Sequence, residues 1–253
     1  MSKQNKSSIS GFTKVKPYNE TEAKTSQLSR MFNTISGKYD QFNDIMTWGL
    51  ARDWRRKSLK KLGKFQPKKI LDIAAGTGDM CIQSVKLIGA ETVVGVDISE
   101  KMIGIAKEKT LAAGLSDKIS FEIQDVASLP YPDSTFDAAT IAFGIRNFEK
   151  LEESLKQINR VLVPNGHLLI LEMNEPDKKW IYSAYRLYTK VFVKLTAKLL
   201  SADARAYDYL TTSMKVFASG KQLLDILNEN GFKTVRYRKF FFGVCSMYLM
   251  QKR

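Results

Sequence analysis

The feature that most constrains this chain is the apolar run Lys69-Ile70-Leu71-Asp72-Ile73-Ala74, which breaks directly into Ala75-Gly76-Thr77-Gly78-Asp79. A short run bounded by a glycine turn and followed by an amphipathic stretch reads as a buried strand feeding a helix. The same alternation then repeats. TVVGVDI (92–98), KISFEIQ (118–124), FDAATIAFG (136–144) and HLLILEM (167–173) read as strands. Helices are expected after Gly78, after Ser99 and over about 149–162, with Ser99 as an N-cap and Met102, Ile103 and Ala106 on one face. Alternating strands and helices predict an α/β fold with a parallel sheet covered on both faces. Beyond residue 178 the pattern changes. Residues 178–199, 203–217 and 219–230 read as helices, and KTVRYRKFF and VCSMYLMQKR as two strands joined at Gly243. That link is too short for a crossover, so the pair must be antiparallel.

The glycine turn narrows the ligand. Glycines allow a sharp turn and close approach of a ligand, and Asp97, at the end of the second strand, is placed to accept hydrogen bonds from ribose hydroxyls. A dinucleotide site wants a third glycine, but position 81 is Cys81, and Asp79 sets a negative charge where a pyrophosphate would lie. A cofactor with a positive amino group and no phosphate suits the loop better, and S-adenosylmethionine is such a cofactor. The plainer alternative is a turn that serves tight packing alone.

The Asp72-x-Ala74-x-Gly76-x-Gly78 motif, Asp97 and the end hairpin together resemble the class I S-adenosylmethionine-dependent methyltransferases. The resemblance implies a Rossmann-like seven-stranded sheet, mostly parallel with an antiparallel C-terminal hairpin, helices on both faces and an N-terminal helical lid. It further implies that Asp72 and Gly76, Thr77 and Gly78 face the methionine moiety, that Asp97 and Ile98 hold the ribose, and that Asp125 and Val126 border the adenine, with Ala142 also at the cofactor. Val163-Pro164-Asn165-Gly166 stands where the class usually has Pro-Gly-Gly, and Asn tolerates the same left-handed backbone.

Two further segments are more specific. Phe32-Asn33-x-Ile35-Ser36-x-Lys38-Tyr39-Asp40-x-Phe42-Asn43-Asp44 with Trp48-Gly49 and Trp54-Arg55, and Phe143-Gly144-Ile145-Arg146-Asn147, resemble the ubiquinone/menaquinone biosynthesis C-methyltransferases over about residues 20–253. That family implies methyl transfer to a ring carbon of a prenylated quinol, most like demethylmenaquinol to menaquinol. No residue separates this from the ubiquinone precursor, and another small molecule or lipid is the alternative substrate. Arg146 suits a developing phenolate and Asn147 can orient the ring. Tyr39 and Asp40 are the remaining catalytic candidates, against a reading of Tyr39 as a packed aromatic and Asp40 as an N-cap for FNDIM. The sole histidine, His167, reads as a solvated strand end.

Charge is divided along the chain: +11 over residues 1–70, −8 over 71–177 and +11 over 178–253. Basic flanks suggest an anionic partner or simple solubility. No RNA-recognition module is present, so a membrane surface is expected and nucleic acid is not. Arg186, Lys190, Lys194 and Lys198 fall four apart, one stripe along the 178–199 helix. Cys81 and Cys245 form no metal spacing, and no metal is expected. Neither a signal peptide nor a spanning segment is read, which predicts a cytoplasmic protein peripheral on the inner membrane face. The expected organisation is a disordered basic tail (1–19), a helical lid (20–66) and a catalytic domain (67–253) with a helical insertion near 178–217.

Overall fold

The computed structural model describes residues 15–176, 181, 182, 188 and 204–253. Seven strands form one sheet in the order β3-β2-β1-β4-β5-β7-β6. They are β1 (Lys69–Ile73), β2 (Thr92–Asp97), β3 (Ile119–Ile123), β4 (Phe136–Ala142), β5 (Leu162–Met173), β6 (Phe232–Phe240) and β7 (Cys245–Lys252). All neighbours pair parallel except β7, which runs antiparallel between β5 and β6. The expected α/β architecture and its C-terminal hairpin are therefore present. Strands such as β1, with four of five residues buried, are apolar on both faces because helices cover both.

Helices among the described residues include α1 (Lys24–Thr47), α2 (Leu50–Leu62), α3 (Asp79–Ile88), α4 (Glu100–Ala112), α5 (Leu151–Val161), α6 (Ala204–Val216) and α7 (Lys221–Glu229). One face of the sheet packs on α5 and α7 through Leu155, Ile158, Leu223 and Leu227. The other packs on α2, α3 and α4 through Trp54, Leu59, Cys81, Ile103 and Ala106. Ser99 caps α4 as expected, its hydroxyl accepting from the Met102 N–H at 3.3 Å.

The N-terminal helix α1 runs for 24 residues. Leu28, Met31, Ile35 and Phe42 recur at helical spacing, and this stripe packs against Met102 of α4 and Ala206, Tyr209 and Leu210 of α6. Its first turn is satisfied from a distance: the Glu149 carboxylate accepts from the backbone N–H groups of Lys24 (3.1 Å) and Thr25 (2.8 Å), where a negative charge also suits the helix dipole. The helix ends at Trp48 and Gly49, both left-handed.

Four expectations need correction. Asp40 is no N-cap, because it lies inside α1. Residues 15–19 of the expected loose tail are tied to α1, with the Gln27 side-chain oxygen accepting from the backbone N–H of Tyr18 and Asn19. β5 begins at Leu162, and Val163–Gly166 bulges within it, with Asn165 left-handed at a φ of 62°. His167 is buried, not solvated; it stacks on Phe65 with centroids 3.9 Å apart, and burial lowers its imidazole pKa. The basic stripe Arg186, Lys190, Lys194 and Lys198, and residues 1–14, lie outside the described residues. No described helix is long and apolar enough to cross a membrane.

Candidate active site

At the carboxyl ends of β1, β2, β3 and β4 the chain opens a cleft. Its floor is the turn after β1, where Ala74, Gly76 and Gly78 all take positive φ. Gly78 has no room for a side chain: a Cβ would lie 3.1 Å from Ala106 Cβ and from Phe121 Cζ. Gly144 allows a similarly close approach, since a Cβ there would come within 2.6 Å of Ala74 Cβ. The turn is pinned to β2 by the Gly76 N–H, which donates to Asp97 Oδ2 at 2.8 Å, while Asp97 Oδ1 accepts from the Ser99 N–H at 2.9 Å. Burial raises the Asp97 carboxyl pKa, and those backbone donors work against the rise.

Of the expected cofactor residues, Gly76, Asp97, Ile98, Asp125, Val126 and Ala142 line the cleft. Asp72, Thr77 and Gly78 do not. Asp72 is 1% exposed and lies behind the turn, its oxygens accepting from Thr140 Oγ1 at 2.6 Å and Cys81 Sγ at 3.2 Å. Burial pushes its pKa up to about 6. The parallel register sets Asp72 opposite Thr140, which accounts for that contact. Thr77 instead donates its hydroxyl to Asp40 Oδ1 at 2.7 Å. The described residues lining the cleft include Asp97, Asp125 and Glu149 but no lysine or arginine. Such a lining suits a cationic ligand without phosphates and opposes a pyrophosphate.

The first turns of α1 lie over the cleft. Ser29 Oγ donates to the Ile98 carbonyl (2.9 Å), and Asn33 Oδ1 accepts from Ser99 Oγ (2.7 Å) and the Lys101 N–H (3.1 Å). Farther along, Asp40 accepts from Lys109 Nζ at 3.0 Å, and the same ammonium reaches Asp79 at 2.5 Å. Asp40, Asp44, Asp79, Arg52, Arg55 and Lys109 line a separate charged chamber. Burial alone would raise the Asp79 carboxyl pKa, but Arg55 and Lys109 hold it below the usual range. Asp40 therefore lines neither the cleft nor the cavity described next.

That second cavity is lined by Phe42, Met46, Ala51, Met173, Leu210 and Met214 together with the polar Asn43, Thr47, Thr211 and Arg146. Tyr39 and Phe143 line both spaces and stand between them. Arg146 is buried. Its NH1 donates to Glu172 Oε1 at 2.6 Å and to the Phe143 carbonyl at 2.5 Å, and its Nε has no partner. Burial would lower the guanidinium pKa; Glu172, with Tyr39 and Tyr209, outweighs it and raises it. Tyr39 is raised by burial, with Asn43 and Arg146 opposing, so its phenol stays protonated at neutral pH. Asn147 lines the first cleft, and its Oδ1 accepts from Tyr209 OH at 3.0 Å.

Sequence reading missed Glu172, Glu149, Tyr209 and Lys109. Glu172 left a signal: a carboxylate inside the apolar strand HLLILEM has to be paired if the strand is buried. The other three carried none, since their partners are distant in the chain.

The sheet order, the reversed β7 and the cleft at the strands' carboxyl ends define the class I methyltransferase fold. A methyltransferase from Thermotoga maritima shares it at 18% identity and a TM-score of 0.59, over 88% of this chain and 99% of that one. Residues 20–252 match the ubiE/COQ5 methyltransferase family, and the chain belongs to it. It is 41% identical to a Bacteroides fragilis demethylmenaquinone methyltransferase, over 94% of this chain and 98% of that protein. It is 34% identical to a Pseudomonas putida ubiquinone/menaquinone biosynthesis C-methyltransferase, over 89% and 88%.

Proposed function

We propose that this protein transfers a methyl group from S-adenosylmethionine to a ring carbon of demethylmenaquinol, a prenylated naphthoquinol. The observation that carries the reading is the pair of adjoining spaces: a carboxylate-lined cleft without cations, and an apolar cavity with one buried arginine, separated by Tyr39 and Phe143. The relative at 41% identity bears the matching name. The equivalent benzoquinol is the second reading, favoured by the name of the 34% relative.

The donor set fits S-adenosylmethionine. Asp97 keeps free lone pairs for ribose hydroxyls, Asp125 and Val126 would border the adenine, Ile98 and Ala142 add apolar surface, and the Gly76 turn admits the methionine end closely. When bound, the cofactor supplies an electrophilic methyl carbon. Attack by a ring carbon needs charge to build on the quinol oxygen. Arg146, with an unpartnered Nε, would meet that charge, and Glu172 fixes the guanidinium so that it is already oriented. Tyr39 would donate a hydrogen bond, and Asn147 is held by Tyr209 as a positioning residue. Asp40 takes the role of a tether, holding α1 as a lid that excludes water. Because a prenyl tail resides in a bilayer, the protein would work at a membrane surface.

The test is to incubate the purified protein with S-adenosylmethionine and reduced demethylated naphthoquinol or benzoquinol, and to follow product mass. One added methyl on the naphthoquinol, at a kcat/KM at least tenfold above that on the benzoquinol, is expected. The reverse preference selects the second reading, and no methylation of either removes both.

A further inference from the structure

The turn between β6 and β7 carries two half-exposed phenyl rings. Phe241 and Phe242 are each 55% exposed, their centroids are 5.5 Å apart, and both take a left-handed backbone, at φ of 42° and 55°. Bulky residues rarely accept that conformation, and burial does not compensate for it here. The turn is anchored at the cavity side of the sheet. The Asn174 N–H donates to the Val244 carbonyl at 2.8 Å, one residue beyond Met173, which lines the apolar cavity.

A column of cations runs up to this tip. Arg236 and Arg238 are exposed on edge strand β6, and the Arg238 guanidinium lies 5.2 Å from the Phe240 ring centroid. Beside them, at the end of α2 and just past it, are Lys61 and Lys64. Among the described residues none of these four makes an ion pair, and Lys61 is lowered chiefly by its cationic neighbours Arg236 and Lys64. Cations on an edge strand can simply block pairing with another chain. That role gives no reason for two exposed rings at the strand's end.

We propose that Phe241 and Phe242, with Arg238 and, farther along β6, Arg236, form a docking surface for an anionic lipid bilayer. The rings enter the headgroup–acyl boundary and the cations meet lipid phosphates. The purpose of this surface rests on the prenylated-substrate reading above: docking here sets the side of the sheet bearing the apolar cavity against the membrane.

The experiment is co-sedimentation with phosphatidylethanolamine–phosphatidylglycerol vesicles and with pure phosphatidylcholine vesicles. The expected result is binding to the anionic vesicles that weakens with salt. The Phe241→Asn/Phe242→Asn pair, chosen because Asn tolerates left-handed backbone, should bind roughly tenfold or more weakly. Arg236→Gln/Arg238→Gln should also lose about tenfold and flatten the salt dependence. Both variants should keep the wild-type melting temperature within about 2 °C, since exposed substitutions change stability little. Both should also methylate a water-soluble, tail-less quinol at the wild-type rate. Wild-type protein that ignores anionic vesicles, or an aromatic variant that binds them unchanged, overturns the proposal. So does wild-type self-association that the aromatic variant loses while vesicles are ignored, since the tip would then be a contact between copies. Absence of quinol methylation with tip-dependent vesicle binding intact would remove the functional reading and leave this surface standing.

Discussion

The two spaces that meet at Tyr39 and Phe143 are built in opposite ways. The carboxylate-lined cleft draws mostly on residues at the ends of consecutive strands, Gly76 after β1, Asp97 and Ile98 at β2, Asp125 and Val126 after β3 and Ala142 at β4, with Thr25, Phe32 and Tyr39 of α1 over them. Its shape is fixed by left-handed turns and by backbone donors to Asp97. The apolar cavity draws on α1, α2, the turn after β4, β5 and α6, and it has one buried ion pair, Arg146–Glu172. One space is set chiefly by turns at consecutive strand ends, the other by side chains from distant segments. Substitutions should therefore act differently on the two sides.

The largest effect is expected on the apolar side. Arg146→Met or Glu172→Met alone leaves a buried charge without its partner and should cost about 3–5 kcal/mol of stability, measured by denaturant unfolding. The double variant should recover most of that loss. Turnover should fall by roughly a hundredfold or more in all three proteins, because the guanidinium or its orientation is gone. A double variant that recovers stability and turnover together would reduce the pair to a packing element, and the contrast between the two spaces would lose its chemical meaning.

The next effect belongs to the carboxylate behind the cleft. Asp72 has a folded-state pKa of about 6 against an ordinary 3.8. The folded state thus holds that proton more tightly than the unfolded chain. The stability this contributes is full below about pH 3.8 and is lost as pH rises through about 6, a difference worth roughly 3 kcal/mol. Asp72→Asn cannot titrate. The stability of the wild type relative to the variant should stay nearly level from pH 8 to 7 and rise as pH falls through 6 toward 4. A flat difference over that window would mean that Thr140 and Cys81 stabilise the anion fully against burial.

The same contrast explains what could be read from the chain. Strand–turn–helix alternation made the sheet legible, and the residues around Gly76, Asp97 and Asp125 were legible because each follows directly on a strand end. Tyr39, Arg146 and Asn147 were reachable only through family-like motifs. Glu172 passed as a strand residue because its partner stands 26 positions away. Asp40 was a catalytic candidate as a carboxylate in the same motif as Tyr39, yet neighbours on a helix point about 100° apart, and it meets Thr77 and Lys109. His167 misled for the reverse reason: nothing local announces that Phe65 covers it.

A smaller effect should separate the two spaces in binding. Asp97→Asn removes a charged acceptor but preserves shape, so S-adenosylmethionine affinity by calorimetry should weaken about 10- to 100-fold. Quinol affinity should stay within about twofold, because Asp97 lines only the first cleft. Equal weakening of both would mean that the spaces act as one site and that Tyr39 and Phe143 do not divide them.

The smallest effect is expected where α1 is tethered. Lys109 joins Asp40 to Asp79, but the three side chains are 31%, 42% and 30% exposed. Water and salt screen such pairs, so Lys109→Met should change stability by less than about 1 kcal/mol. The apolar stripe of α1, buried against α4 and α6, would still hold the helix in place. The tether should matter more for the timing of opening, because it ties the helix to the glycine turn after β1 through Thr77 and Asp40. Faster cofactor dissociation by stopped flow, with an almost unchanged melting temperature, is the expected pair of results. A melting loss as large as that of the Arg146 variants would show instead that the charged chamber, and not the apolar stripe, holds the N-terminal helix on the protein.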